Sequence, residues 1–140
     1  MIVADANLIA YLLIEGTFTP AARAVYERDS VWVVPPLWRS EFLNTLTTSI
    51  RAGVLTQRGA CALWDSGISM LEGAECEPDA EDVLRLTTHR RVSAYDAQYV
   101  VLARMLETVL VTGDRKLARL YPEHVILIED FLAQRPKSKA

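Results

Sequence analysis

The chain is poor in cysteine and histidine, with two of each in 140 residues. Cys61 and Cys76 lack the paired spacing of a zinc site or a disulfide framework and read as ordinary buried or half-buried thiols. His89 and His124 also stand alone, which disfavours a mechanism built on imidazole. Cations are scarce relative to anions: 15 Lys and Arg face 18 Asp and Glu, for a net charge of −3. Proteins that grip nucleic acid with a broad basic face are usually basic overall. A polyanion would therefore be handled here only by a local patch and bound cations. Long apolar runs are missing too. No span free of charged residues exceeds nine residues, Ala6 to Ile14 being one, whereas a membrane helix needs about 20. No basic stretch precedes an apolar one at the N-terminus, and Asp5 and Asn7 fall where a signal sequence would be apolar. The expectation is a soluble, cytoplasmic protein that makes no membrane contact.

What the chain does have is apolar content, 51% of its residues, on the upper side of the globular range. At this length one domain can bury a sufficient core without disulfides or metals. The high apolar share also hints at surface buried against a partner. There is no internal repeat, low-complexity block or linker. One domain is expected over residues 1–134, followed by a basic tail at 135–140.

Short apolar runs alternate with segments of helical period. Ile2-Val3-Ala4 ends in Asp5, Val31–Val34 ends in two prolines, and Val109-Leu110-Val111 ends in Thr112-Gly113-Asp114. Val125–Ile128 ends in Glu129-Asp130, and Ala74-Glu75-Cys76 is a weaker strand signal. Runs that are apolar throughout suit strands covered on both faces, as in parallel sheets. Between them, Pro36 starts a helix to about Ala52 that Gly53 stops. Thr56 caps a helix whose Ala60, Leu63, Trp64, Gly67, Ile68 and Leu71 share a face. Asp79 opens a helix to about Arg90, Ser93-Ala94-Tyr95-Asp96 has the form of a capping box, and Asp114 caps a short helix to Leu120. This alternation predicts a three-layer α/β/α domain around a central parallel sheet, with ligands beyond the carboxyl ends of the strands.

Four acids draw attention. Asp5 and Asp114 each follow a strand, and each taken alone reads first as a turn or helix cap; their agreement in position at two strand ends points both into one crevice of a parallel sheet. Asp96 shares a helical arc with apolar Tyr99, Val100 and Ala103. An ionised carboxylate there is costly unless paired, capped or bound to a metal, although the capping box alone would account for it. Glu41 shares a face with Asn44, Thr45 and Thr48, which suits either a solvated surface or the lining of a cleft. Asn7 and Thr112 stand two residues from Asp5 and Asp114, within reach of a carboxylate or of local turn amides. Four carboxylates in one cleft would need a cation. With oxygen ligands and no His or Cys cluster, that cation would be Mg²⁺ or Mn²⁺. Such a site suits phosphodiester hydrolysis. Arg115, Lys116 and Arg119, at the start of the helix after Asp114, read as phosphate contacts or as solubilising surface charges. Arg90 and Arg91, ahead of the capping box, carry the same two readings.

The segments IVADANLIAYLL, SEFLNTL, SAYDAQYVVLAR and LVTGDRKLA resemble, in order and spacing, the four motif segments of PIN-domain ribonucleases, above all the VapC-type toxins of toxin–antitoxin pairs. The likeness runs from Ile2 to about Phe131. It implies a five-stranded parallel sheet flanked by helices, and places Asp5, Glu41, Asp96 and Asp114 on the family's acidic quartet. Asn7 and Thr112 fall on its supporting polar positions. It further implies Mg²⁺- or Mn²⁺-dependent cleavage of RNA, a homodimer, and neutralisation by a VapB-type antitoxin that docks over about Pro36 to Glu72. DNA would be met only indirectly, through that antitoxin. Some relatives carry a further acid soon after the fourth, where this chain has Arg115, Lys116 and Leu117. Two rival readings remain: an aspartyl-phosphate phosphatase or phosphotransfer protein using Asp5, against which Asn7 stands where a second acid is wanted, and a non-catalytic PIN-like binding module.

Overall fold

The computed structural model describes residues 1–135; the expected basic tail lies almost wholly outside the described residues. The elements run β1 (Ile2–Ala4), α1 (Ala6–Leu13), α2 (Thr19–Arg28), β2 (Trp32–Val33), α3 (Trp38–Arg51) and α4 (Gln57–Met70). They continue with α5 (Ala80–His89), α6 (Ala94–Met105), β3 (Leu110–Thr112), α7 (Arg115–Leu120), β4 (Val125–Leu127) and α8 (Ile128–Ala133). All pairings in the sheet are parallel, in the order β2-β1-β3-β4.

Side chains alternate across each strand, and here the alternation separates two cores. Ile2, Ala4, Trp32, Val34 and Val111 face α1, α2, α3, α4 and α8. Val3, Leu110 and Val125 face α5, α6 and α7. The three-layer α/β/α architecture follows directly. At the centre of the first layer, Trp38, Phe42 and Trp64 stack with ring centroids 5.9–6.2 Å apart. Gly67 of α4 lets this stack close: a β-carbon there would sit 3.1 Å from Phe42 Cε1 and 3.4 Å from Leu13 Cδ1.

The expected caps form. Thr56, Asp79 and Ser93 each accept the amide three residues on, at 2.9–3.0 Å. Gly53, at φ 76°, turns the chain out of α3, with Val54 N–H reaching Ser49 O at 2.9 Å.

Other details differ from expectation. The sheet has four strands rather than five. Ala74-Glu75-Cys76 makes a single parallel bridge, Glu75 to Val34, because Pro78 follows too closely for the pairing to extend. Pro36 lies in a turn ahead of α3, which begins at Trp38 with its amide on Pro35 O at 3.0 Å. Ile128 leaves β4 to begin α8, drawn into helix by the acids Glu129 and Asp130 of the first turn. Helices α2 and α8 lacked a clear sequence signal. Neither has a side-chain cap bond; the available cues were the Pro at the start of α2 and the first-turn acids of α8. Cys61 is exposed rather than buried, Cys76 is half-buried, and both are free thiols. No helix among the described residues is long and apolar enough to cross a membrane.

Candidate functional site

A cleft of about 740 Å³ opens beyond the carboxyl ends of β1 and β3, and Asp5, Glu41, Asp96 and Asp114 all line it. Asn7 and Thr112 line it as well. The crevice rule for parallel sheets therefore holds, and the four acids reach it from four different elements.

Asp5 serves two purposes at once. It caps α1 through Oδ1, which accepts the Leu8 amide at 2.9 Å. Its Oδ2 accepts the hydroxyl of Thr112 in a short hydrogen bond. The same Thr112 oxygen accepts the Asp114 amide at 3.1 Å, and Asp114 Oδ1 caps α7 through Leu117 N–H at 3.0 Å. For both acids the cap and the cleft wall coexist, because a carboxylate has two oxygens and the cap uses one.

Glu41 sits in the first turn of α3, and its Oε1 accepts the hydroxyl of Tyr99 at 2.6 Å. Asp96 is held by half of its capping box: its amide donates to Ser93 Oγ at 3.0 Å, and no return bond to the Ser93 amide is present among the described residues. Its helical neighbours Tyr99, Val100 and Ala103 are buried, as the arc required.

The cleft disfavours charge on Asp5, Glu41 and Asp96. Loss of solvent on burial pushes the Asp5 carboxyl up from 3.8 to about 6; the Thr112 and Leu8 hydrogen bonds oppose the shift, and Glu41 adds to it. Glu41 is raised by burial, against the Tyr99 bond, and by the charge of Asp96. Asp96 is raised by burial and by Asp114, and pulled back by Ser93 and Lys116. The carboxylates thus form a repelling series, Asp5–Glu41–Asp96–Asp114, and bringing them together is stable only if something positive or a proton joins them.

Which cation fits can be judged from the donors. The cleft offers carboxylate, hydroxyl and amide oxygens without His or Cys, which suits a hard divalent ion. Among the described residues no three His, Cys, Asp or Glu side chains stand close enough to close on one ion together. That spacing is compatible with Mg²⁺, which keeps several waters and binds directly through one or two carboxylates.

Sequence reasoning missed Tyr99 as a functional residue, since it read as one more apolar residue on the Asp96 arc. Its position three residues from Asp96, with a hydroxyl that must find a partner when buried, was the signal available. Ser40 and exposed Tyr95 also line the cleft, as do Asn44 and Thr45 from the polar face of α3. The cations do not converge as expected: Arg115, Lys116 and Arg119 all lie outside the cleft lining. Arg115 pairs with Glu129 at 2.6 Å, and Lys116 is near enough to Asp96 to stabilise its charge. Arg90 turns elsewhere, onto the ring of Tyr121.

A parallel sheet between two helical layers, with four acids gathered in one cleft at its carboxyl edge, defines an α/β protein with an acidic site beyond its strand ends. The chain belongs to the PIN domain family, whose model matches residues 2–122. It is 30% identical over 125 residues to Ribonuclease VapC3 of Pyrobaculum aerophilum, covering 86% of this chain and 95% of that protein. Its fold matches the crystal structure of PAE2754 from Pyrobaculum aerophilum with a TM-score of 0.71 at 24% identity, over 94% of this chain and 93% of that one. FitAcB from Neisseria gonorrhoeae gives a TM-score of 0.70 at 15% identity, over 92% and 99% of the two chains.

Proposed function

We propose that this protein is a divalent-metal-dependent endoribonuclease that hydrolyses RNA phosphodiester bonds and acts as the toxin of a toxin–antitoxin pair. The observation that carries this reading is the convergence of Asp5, Glu41, Asp96 and Asp114 on one cleft, in which burial and mutual repulsion hold the first three carboxyl groups against ionisation. Membership of the PIN family and similarity to a protein named a ribonuclease support the choice of RNA.

In this reading Asp5, Asp96 and Asp114 hold Mg²⁺ or Mn²⁺, directly or through water. When bound, the ion supplies a Lewis acid that neutralises phosphate charge and activates a water. The Thr112 hydroxyl fixes one Asp5 oxygen and leaves the carboxylate a single orientation. Tyr99 does the same for Glu41, whose free Oε2 is left to orient the attacking water. Asn7 adds an exposed amide at the rim. The exposed ring of Tyr95, 63% accessible at the cleft mouth, offers a face on which an unpaired base can stack. Lys116 is the best placed of the three cations to meet phosphate. Arg115 is free to join it, since an exposed ion pair like that with Glu129 is worth little.

A VapB-type antitoxin and a homodimer are the proposed partners. Leu43, Ile50 and Val54 lie exposed along one side of α3 and its C-terminal turn, an apolar stripe in the segment where the antitoxin is expected.

The test is cleavage of total RNA with mapping of the ends, with and without EDTA, by wild type and Asp5→Asn. Metal-dependent cuts that vanish in the folded variant support the reading. Cleavage that persists in EDTA or in Asp5→Asn removes it. Trapping of a phosphoaspartate at Asp5 would replace it with phosphotransfer chemistry.

A further inference from the structure

Helix α6 separates two pockets. Its N-terminal half lines the acidic cleft. Its C-terminal half, with α5 and the loop between α7 and β4, lines a second pocket of about 670 Å³ that shares no residue with the first.

This second pocket is cationic in a chain that is acidic overall. Arg85, Arg90 and Arg104 line it against Asp82 and Glu123. Arg85 is already engaged, with Asp82 at 2.7 Å and Glu81 at 3.1 Å. Arg90 and Arg104 have no carboxylate partner among the described residues. Their guanidinium carbons lie instead 5.9 and 5.6 Å from the ring centroid of Tyr121. His89 and His124, which stood alone in the sequence, both line this pocket.

Tyr121 supplies the independent observation. Its side chain is buried at 4% exposure, and its hydroxyl has no hydrogen-bond partner among the described residues. A buried hydroxyl left unpaired costs about 1–3 kcal/mol, so a native structure that keeps one invites an explanation. Burial pushes the phenol up, while Arg90 and Arg104 both pull toward the anionic form. Their field therefore favours negative charge at that oxygen. Two guanidinium groups and one hydroxyl share a single deficiency: all are donors, and none is bonded to an acceptor among the described residues, Asp82 being taken by Arg85.

We propose that this pocket binds a phosphate group, with Arg90 and Arg104 as charged donors and the Tyr121 hydroxyl as a neutral one. Guanidinium forks match phosphate oxygens two at a time, and a tetrahedral oxyanion presents its oxygens out of one plane, which suits donors that converge from different sides of a pocket. Both arginines are exposed and long, so they can swing off the ring of Tyr121 to meet a phosphate. The volume exceeds what bare phosphate needs and suits a group of nucleotide size. A free phosphate ester and a polynucleotide backbone present the same chemistry.

The test is calorimetric titration of the full chain in EDTA, which keeps metal-bridged phosphate out of the acidic cleft. The probes are inorganic phosphate and a short single-stranded oligonucleotide. Wild type is compared with Arg90→Gln, Arg104→Gln, Tyr121→Phe and, as a surface-charge control, Arg58→Gln. Saturable phosphate binding should weaken about tenfold in either pocket arginine variant, the loss of one charge-assisted contact. It should weaken less in Tyr121→Phe and not at all in Arg58→Gln. Tyr121→Phe should melt no lower than wild type without phosphate, which separates lost binding from lost folding. A parallel loss for the oligonucleotide assigns the site to a nucleic-acid backbone, and a loss confined to phosphate assigns it to a small ester. Phosphate binding that does not saturate at tens of millimolar, or is equal in all variants, overturns the proposal. No cleavage is read, so this outcome is independent of the nuclease reading.

Discussion

The hydroxyl of Thr112, at the end of β3, donates to the carboxylate of Asp5, at the end of β1, across 107 residues of sequence. The same oxygen receives the Asp114 amide. One threonine thus sets the orientation of the first acid and the backbone position of the fourth. Thr112→Val keeps the shape and removes both roles. The Asp5 carboxyl should move further above about 6, shifting the acid limb of the pH–rate profile upward. Stability should fall by about 1.5–3 kcal/mol, the worth of a hydrogen bond to a charged group. Urea denaturation and a cleavage pH profile measure the two effects, and an unmoved acid limb counts against this role.

The raised Asp5 carboxyl makes stability depend on pH in a defined direction. Between 3.8 and about 6 the folded chain holds a proton that the unfolded chain has released, so stability falls as pH rises through this window. A difference of that size corresponds to roughly 3 kcal/mol, with Glu41 and Asp96 acting in the same sense. Unfolding in EDTA should therefore be hardest near the acid end of the window. Asp5→Asn should flatten the profile and, at neutral pH, match or exceed wild-type stability while losing activity.

A bound cation would reverse that trend. On the proposed reading Mn²⁺ or Mg²⁺ binds the ionised acids, and a ligand selective for the folded state stabilises it by mass action. Millimolar Mn²⁺ should raise the melting temperature at neutral pH, do little at pH below the Asp5 value, and do nothing in Asp5→Asn. Equal melting temperatures with Mn²⁺ and with EDTA at neutral pH would favour a non-catalytic binding module.

Tyr99 and Glu41 meet 58 residues apart, and Tyr99→Phe isolates that bond. Turnover should drop about tenfold, from loss of a positioning contact worth about 1.4 kcal/mol, with KM changing less than kcat. In a Glu41→Gln background the second substitution should add little, since the two residues act as a unit. Additive losses would mean that Tyr99 acts on something other than Glu41.

Gly67→Ala tests packing away from the cleft. Its β-carbon would meet Phe42 at 3.1 Å and Leu13 at 3.4 Å. Overpacking of this kind costs about 1–3 kcal/mol, against up to about 1 kcal/mol gained in helix propensity. The melting temperature should fall while kcat of the folded fraction is unchanged.

The features written in the sequence were those governed by neighbours in the chain. Asp5, Thr56, Asp79, Ser93 and Asp114 announced helix starts because a cap involves only the next three residues. The inward arc of Asp96 and the buried face of α4 followed from helical period. Runs such as Ile2-Val3-Ala4 pointed to a parallel sheet because apolar residues on both faces need cover on both sides. Asp5 and Asp114 then lay at equivalent strand ends, so four acids in one crevice was a legible expectation. Other features depended on partners remote in the chain. The sequence pointed to a weak strand at Ala74–Cys76, which forms a single bridge, and to Ile128 as the end of a strand, where it starts a helix. It could not show that Thr112 would tie Asp5 to Asp114, that Tyr99 would hold Glu41, that Arg115 would turn to Glu129, or that His89, His124, Arg90 and Arg104 would gather around Tyr121. Local hydrogen bonds and hydrophobic period decided the elements and their ends. Which polar groups met was decided only when the strands took the order β2-β1-β3-β4. Side-chain hydrogen bonds and charges act over a few ångströms of space, whatever the separation along the chain.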